Sequence, residues 1–501
     1  MTTRRTSLLY WVLFVLVAAS LIVRIRLHGL AFPPPWPDES SFVWPALAFR
    51  DTGTLFAPEI HSRELFWMPP AYMIVSGAIF KLTGFSFEWA RMLSGIYLCG
   101  AFACVCALAR GLRIGLGSLA LALVFLHSPI AAMAGNTARM ETLMLLVAAG
   151  GFLLIERGFR ATGLSLLALG PLVHPNGAFP LFGGALLCCW PTRTNLAHLR
   201  PRRGELVAIL GAAAAWIAYV THVALHFQNF KDDWALQLSV KKFQAFGQNP
   251  LSLPEAWVAL SILILVGLAV RRFRTLPDRP IVTLSTLAGS LWLQTLITVG
   301  WLYEVHAIFM DFIAAILAVE LASAWLVPKL EAGSRPLLAR AAPAVLAIVS
   351  AALCARFAVT SQLAMRSVTP STRGFWPAPP PYITDEDRAA VGKYLKTLAS
   401  AGRPITVNFL PDADALAFQE YRTPTLHFSQ PQFGIHHADV YIFHESRWLP
   451  EFLRGMLAVR AAFGHLILVP IDRWSLLRAR DTTERWRVYR RPDRGEPAPA
   501  P

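Results

Sequence analysis

The stretch Trp36-Pro37-Asp38-Glu39-Ser40 carries two adjacent carboxylates a few residues beyond an apolar run of membrane length. Acidic groups so close to lipid are costly unless they pair or perform a task. A carboxylate there can take a proton from a hydroxyl as its oxygen attacks the anomeric carbon of a sugar. The same spacing also fits a local role, with Asp38 as the N-cap of a helix starting near Ser40.

Other polar groups interrupt apolar sequence in the same way. Arg139 and Glu141 open an apolar segment, and an arginine can neutralise a phosphate leaving group through bidentate hydrogen bonds while Glu141 positions it or a sugar hydroxyl. They equally suit a salt bridge at a helix end with an acid in the first turn. His174 and Asn176 lie in His-Pro-Asn-Gly, whose proline and glycine force a break. Broken backbone at membrane depth is tolerated where it lines a cavity, so both side chains could bind phosphate or sugar; a capped turn is the plainer alternative. Lys231, Lys241 and Lys242 stand among Phe230, Trp234, Phe243 and Phe246, which suits either a lipid phosphate with its prenyl chain or an interfacial helix. Tyr303, Glu304, His306 and Asp311 begin a late apolar span, where polar groups usually face a cavity.

The elements that must position these residues are membrane helices. Of 501 residues, 55% are hydrophobic and only 15% charged, against about 25% charged in soluble domains. Apolar segments near 8–24, 89–109, 115–134, 140–156, 161–175, 177–190, 205–226, 254–270, 281–301, 303–326 and 338–359 predict about eleven spans. Pro69 to Leu82 is too short for another and reads as an interfacial helix. With this count, Arg110 and Arg113, Arg157 and Arg160, Arg193 to Arg203, Arg271 to Arg279, and Lys329 to Arg340 fall in cytoplasmic loops, as the positive-inside rule requires. The N-terminus is then cytoplasmic, its first helix uncleaved, and every chemistry-bearing segment lies on the outer face. The net charge of +15 is accounted for by these loops and a basic C-terminal part, and no recognition element for nucleic acid stands out.

The expected organisation is a membrane domain over 1–360 with its first outer loop at 25–88, a proline-rich linker at 361–382, a small soluble α/β domain at 383–491, and a disordered tail at 492–501. Helical periodicity covers Asp385 to Ala401 and Leu449 to Val459. Strand-like runs occur at Ile405 to Leu410, Val440 to Phe443, Leu466 to Pro470 and Trp486 to Arg490. All six cysteines lie within apolar runs, without zinc-site spacing. There is no Walker loop, dinucleotide fingerprint, His-Glu-x-x-His or Gly-x-Ser-x-Gly.

The order of the pieces resembles the membrane glycosyltransferases of the GT-C superfamily, above all the protein O-mannosyltransferases (glycosyltransferase family 39) and the lipid A aminoarabinose transferases. The matching pieces are Pro37-Asp38-Glu39-Ser40 with Phe42, Trp67-Met68-Pro69-Pro70-Ala71-Tyr72, Phe80 to Phe85, Glu88-Trp89-Ala90-Arg91, Ala138-Arg139-Met140-Glu141 and His174 to Gly177. They extend over roughly residues 8 to 250. The resemblance implies transfer of a sugar from a polyprenyl-phosphate donor to a lipid, glycan or protein acceptor, with inversion. It makes Asp38, beside Glu39, the catalytic base. Two positions depart from the pattern: Met68 stands where many relatives have a basic residue, and Phe42 where many have tyrosine. Phosphate binding is therefore expected at Arg139 with His174. No cofactor is required, and a divalent metal is compatible with an acidic first-loop pair but not called for by the spacing. The expected location is the bacterial inner membrane, with the C-terminal domain outside the cytoplasm. A polyprenyl-sugar flippase and a glycan ligase share these features and stay open.

Overall fold

The computed structural model describes residues 2–28, 37–60, 63–66, 68–115, 117–189, 203–235, 279–297, 304–333, 335–365, 383, 385–400, 402–410, 412–429, 439–444, 475–477 and 486–490. These divide into two compact units. One comprises Met1–Leu27, Leu65–Tyr72 and Arg91–Pro377; the other comprises His28–Glu64, Met73–Ala90 and Ala378–Pro501.

The first unit is helical. Its helices are α1 (Thr2–His28), most of α4 (Phe87–Ala109), α5 (Gly117–Leu126), α6 (Pro129–Gly135), α7 (Glu141–Glu156), α8 (Arg160–Val173), α9 (Ala178–Cys189), α10 (Arg203–Leu225), α11 (Arg279–Ile297), α12 (Glu304–Ala332) and α13 (Pro336–Met365). By length and composition, Phe87–Ala109, Arg203–Leu225 and Ile308–Ala332 are long and apolar enough to cross a membrane. An aromatic cluster forms part of the core. Phe102 of α4 stacks on Phe312 of α12 at 4.4 Å, with Phe309 and Phe125 of α5 around them. Carboxylates tie the helix ends together. Glu205 of α10 accepts from the amides of Ala161 and Thr162 at the start of α8, at 3.1 and 3.3 Å. A negative charge there offsets the positive end of the helix dipole.

The expected span 115–134 is two helices, not one. Ser128 caps the second, its Oγ accepting from Ala131 N at 3.2 Å, and Pro129 takes the first helical position. Proline is pre-organised there but cannot continue the preceding helix. Residues 227–235, which carry Lys231 among Phe230 and Trp234, are helical, as the interfacial-helix alternative requires. The expected span 254–270, the run Leu466 to Pro470 and the stretch Leu449 to Val459 lie outside the described residues.

The second unit contains α2 (Pro37–Thr52), α3 (Ala71–Thr83), α14 (Asp385–Ala399), a 3-10 helix (Asp412–Tyr421) and five strands. The strands are β1 (Ile405–Leu410), β2 (Leu426–Ser429), β3 (Val440–His444), β4 (Ser475–Leu477) and β5 (Trp486–Arg490), in the order β2-β1-β3-β5-β4. β1 is parallel to β2 and β3, whereas β5 runs antiparallel to both β3 and β4. Phe409 of β1 stacks on Phe418 of the 3-10 helix at 5.2 Å and meets Phe428 of β2 edge-on. Trp44 of α2 completes this core, with its ring centroid 6.4 Å from that of Phe428. Helix α2 therefore packs on the sheet's aromatic layer.

Candidate functional site

The acidic pair sits in the first turn of α2. The helix begins at Pro37, three residues ahead of the expected start near Ser40, because proline's fixed φ suits the first helical position. Asp38 is thus inside the helix rather than its N-cap. Asp38 is half-buried, while Glu39 and Ser40 are fully buried. Successive helical residues point about 100° apart, so the two carboxylates face different surroundings, and the more accessible one is Asp38.

In the helical unit, a second group of polar residues gathers from several elements. Arg139 donates from Nη2 to Glu141 Oε1 at 2.7 Å, with side chains 22% and 4% exposed. Glu141 opens α7, where a carboxylate is favoured by the helix dipole. The salt bridge at the helix end is therefore present, and the same pair also belongs to a larger cluster. The Arg139 amide and Ser94 Oγ of α4 lie 3.4 Å apart, which ties the turn before α7 to α4.

His174 occupies the break between α8 and α9. Its backbone is extended, at φ −150° and ψ 136°, and a 3-10 turn, Pro175–Gly177, follows. The Asn176 amide donates to His174 Nδ1 at 3.1 Å, so the imidazole caps that turn. This fixes Nδ1 as the acceptor and leaves the proton of a neutral ring on Nε2. Only glycine fits at 177: a Cβ there would lie 2.2 Å from the backbone carbon of Gly170.

His306 of α12 lies edge-on to His174, with ring centroids 6.4 Å apart. It is fully buried, and the charges of Arg139 and Glu141 both reach it. Gln294 of α11 holds the His306 ring, with Nε2 and Nδ1 separated by 3.0 Å. Sequence reading missed Gln294 and Ser94. The signal for Gln294 was a lone amide within an apolar segment, where a polar group generally has a partner.

The structure thus brings Arg139, Glu141, His174, Asn176 and His306 into one neighbourhood of the helical unit. Lys231 is exposed on the 227–235 helix, and Glu304 is the first residue of α12. Lys241 and Lys242 lie outside the described residues. Among the described residues, no group of three or more His, Cys, Asp or Glu side chains is disposed to hold a metal ion. The buried cluster offers a guanidinium and two imidazoles as donors, with a carboxylate to orient them, a composition suited to a phosphate-bearing ligand.

No protein-family model and no curated protein matches the chain. Among solved structures, the chain is similar to ArnT from Cupriavidus metallidurans bound to undecaprenyl phosphate. The identity is 15% and the TM-score 0.54, over 96% of this chain and 97% of that one. It is also similar to the apo form of that protein, at 14% identity and TM-score 0.51, over 97% and 98% of the two chains. This likeness shows the fold, a polytopic helical membrane fold like that of ArnT.

Proposed function

We propose that the chain is an integral membrane glycosyltransferase that moves a sugar from a polyprenyl-phosphate donor to a hydroxyl of a lipid, glycan or protein acceptor. The observation that carries the reading is the Arg139–Glu141–His174–His306 cluster, buried but for the partly exposed Arg139, in a fold that in ArnT is found with undecaprenyl phosphate. The donor's prenyl chain lies in lipid. Arg139, held in orientation by Glu141, takes the phosphate, and His174 donates to it from Nε2. Asp38 is the general base. The acceptor oxygen attacks the anomeric carbon from the face opposite the phosphate, and its proton passes to the Asp38 carboxylate. The bond from anomeric carbon to phosphate oxygen breaks, and the polyprenyl phosphate departs with its charge offset by the fixed cations. Inversion follows from a single displacement through an oxocarbenium-like transition state. The proposed location is the bacterial inner membrane, with the acidic pair and the C-terminal part on the extracytoplasmic side.

The test is donor turnover by the full chain in lipid, with labelled polyprenyl-phosphate sugars. Wild type should consume a donor. Asp38→Asn should abolish turnover while still binding the polyprenyl phosphate, and Arg139→Ala should weaken that binding. Equal consumption by wild type and Asp38→Asn would remove Asp38 as the base.

A further inference from the structure

In the second unit, α2 is held by several contacts, and Arg422 ties the helix to the segment that leaves it. Trp44 is 1% exposed and sits in the aromatic layer formed by Phe428, Phe409 and Phe418. Gly77 of α3 packs so closely that a Cβ there would lie 2.4 Å from the Ala46 carbonyl oxygen. Arg422, directly after the 3-10 helix Asp412–Tyr421, lies over the Trp44 ring, with Cζ 5.8 Å from its centroid. The same guanidinium pairs with Glu59, whose side chain is 4% exposed and which follows α2 in a short turn. Arg422 therefore grips α2 itself and the segment leaving it. Such a double attachment uses features that a lysine lacks, namely a planar face for stacking and a fork for the carboxylate.

We propose that the C-terminal α/β unit is the mount for α2 and that Arg422 is a positioning residue that sets the angle of the helix carrying Asp38. This rests on the reading of Asp38 as the base. Trp44 is six residues beyond Asp38, about 9 Å along the helix axis. A tilt of about 10° about Trp44 would move Asp38 by roughly 1.6 Å on that lever, and displacements near 1 Å can cost about 100-fold in rate. Arg422 acts through packing and charge pairing, so its loss should lower kcat and leave donor KM unchanged.

The experiment uses the full chain in lipid nanodiscs, comparing wild type, Arg422→Ala and Arg422→Lys. It measures kcat and KM with a polyprenyl-phosphate sugar, and hydrogen exchange of the α2 amides. For Arg422→Ala we expect kcat to fall at least about tenfold at constant KM, with faster exchange in α2 and unchanged exchange in α7, α8 and the β-sheet. Arg422→Lys, which keeps the charge but neither the planar face nor the fork, should recover only part of kcat. If both variants retain wild-type kcat, the positioning role is overturned. It is also overturned if kcat falls only where exchange rises throughout the sheet, since that is unfolding of the unit. A wild type that transfers sugar and an Asp38→Asn variant that does not establish the base independently, so failure of the mount and failure of the base are told apart.

Discussion

Gly177→Ala probes the break between α8 and α9, which positions His174. A Cβ at 177 would lie 2.2 Å from Gly170 C, 2.4 Å from Gly170 O and 2.6 Å from Pro171 N. All three are backbone atoms, so no rotamer change can relieve the clash. Carbon atoms rest at about 3.5 Å or more, so the turn and the end of α8 must separate by roughly 3.5 − 2.2, or about 1.3 Å. His174 moves with the turn, because Gly177 N bonds to His174 O at 2.8 Å and Asn176 N to its imidazole. Overpacking of this kind costs about 1–3 kcal/mol, and a shift near 1 Å in a phosphate-orienting group costs up to about 100-fold in rate. Gly211→Ala is the control: a Cβ there meets nothing within 4 Å on α10, and alanine in a helix interior gains up to about 1 kcal/mol. Thermal unfolding in nanodiscs, together with donor turnover, reads both effects. A Gly177→Ala protein that melts and turns over like wild type would refute the claim that this close approach fixes the site.

Two further predictions concern buried charge. Arg139→Ala leaves the Glu141 carboxylate, 4% exposed, without its guanidinium and should cost about 3–5 kcal/mol. Glu141→Gln keeps an acceptor oxygen of the same shape and should cost about 1 kcal/mol; unfolding midpoints that reverse this ranking would count against the cluster as described. In the second unit, burial pushes the Glu59 carboxyl above the ordinary carboxylate range, against the lowering pull of Arg422. The folded unit therefore holds that proton to higher pH than the unfolded chain does. The associated stability is present below the ordinary carboxylate pKa and is lost as pH rises through the raised value. Glu59→Gln should flatten this loss, as read by hydrogen exchange in β1 across the acid range.

The polar cluster was easier to read from the sequence than the elements that support it. Arg139, Glu141, His174 and His306 stand out because charge or imidazole in apolar sequence is costly, and the structure gathers them into one neighbourhood. Gln294 carries no charge, so a lone amide in apolar sequence is a weaker mark than a guanidinium or an imidazole, and its role shows only in its placement beside His306. Among the described residues, many helical segments were legible from their length and apolarity, but Ser128-Pro129 splits an apolar stretch into α5 and α6 without interrupting its hydrophobicity. The docking of α2 was not legible. Trp44 meets Phe428 and Arg422 across almost four hundred residues of chain. No local pattern encodes a contact of that range. Trp44 by itself reads as an ordinary apolar side chain beside the acidic pair.

In the proposed reaction Asp38 takes the acceptor proton in transfer from a polyprenyl-phosphate sugar. The most direct measurement is single-turnover transfer by purified wild type and Asp38→Asn in lipid, with a panel of labelled donors and with polyprenyl-phosphate binding measured in parallel. Wild type should consume one donor class. Asp38→Asn should bind polyprenyl phosphate equally well and transfer no sugar. Equal transfer by both proteins, or binding of polyprenyl phosphate by a wild type that consumes none of the donors, would contradict the proposed reaction.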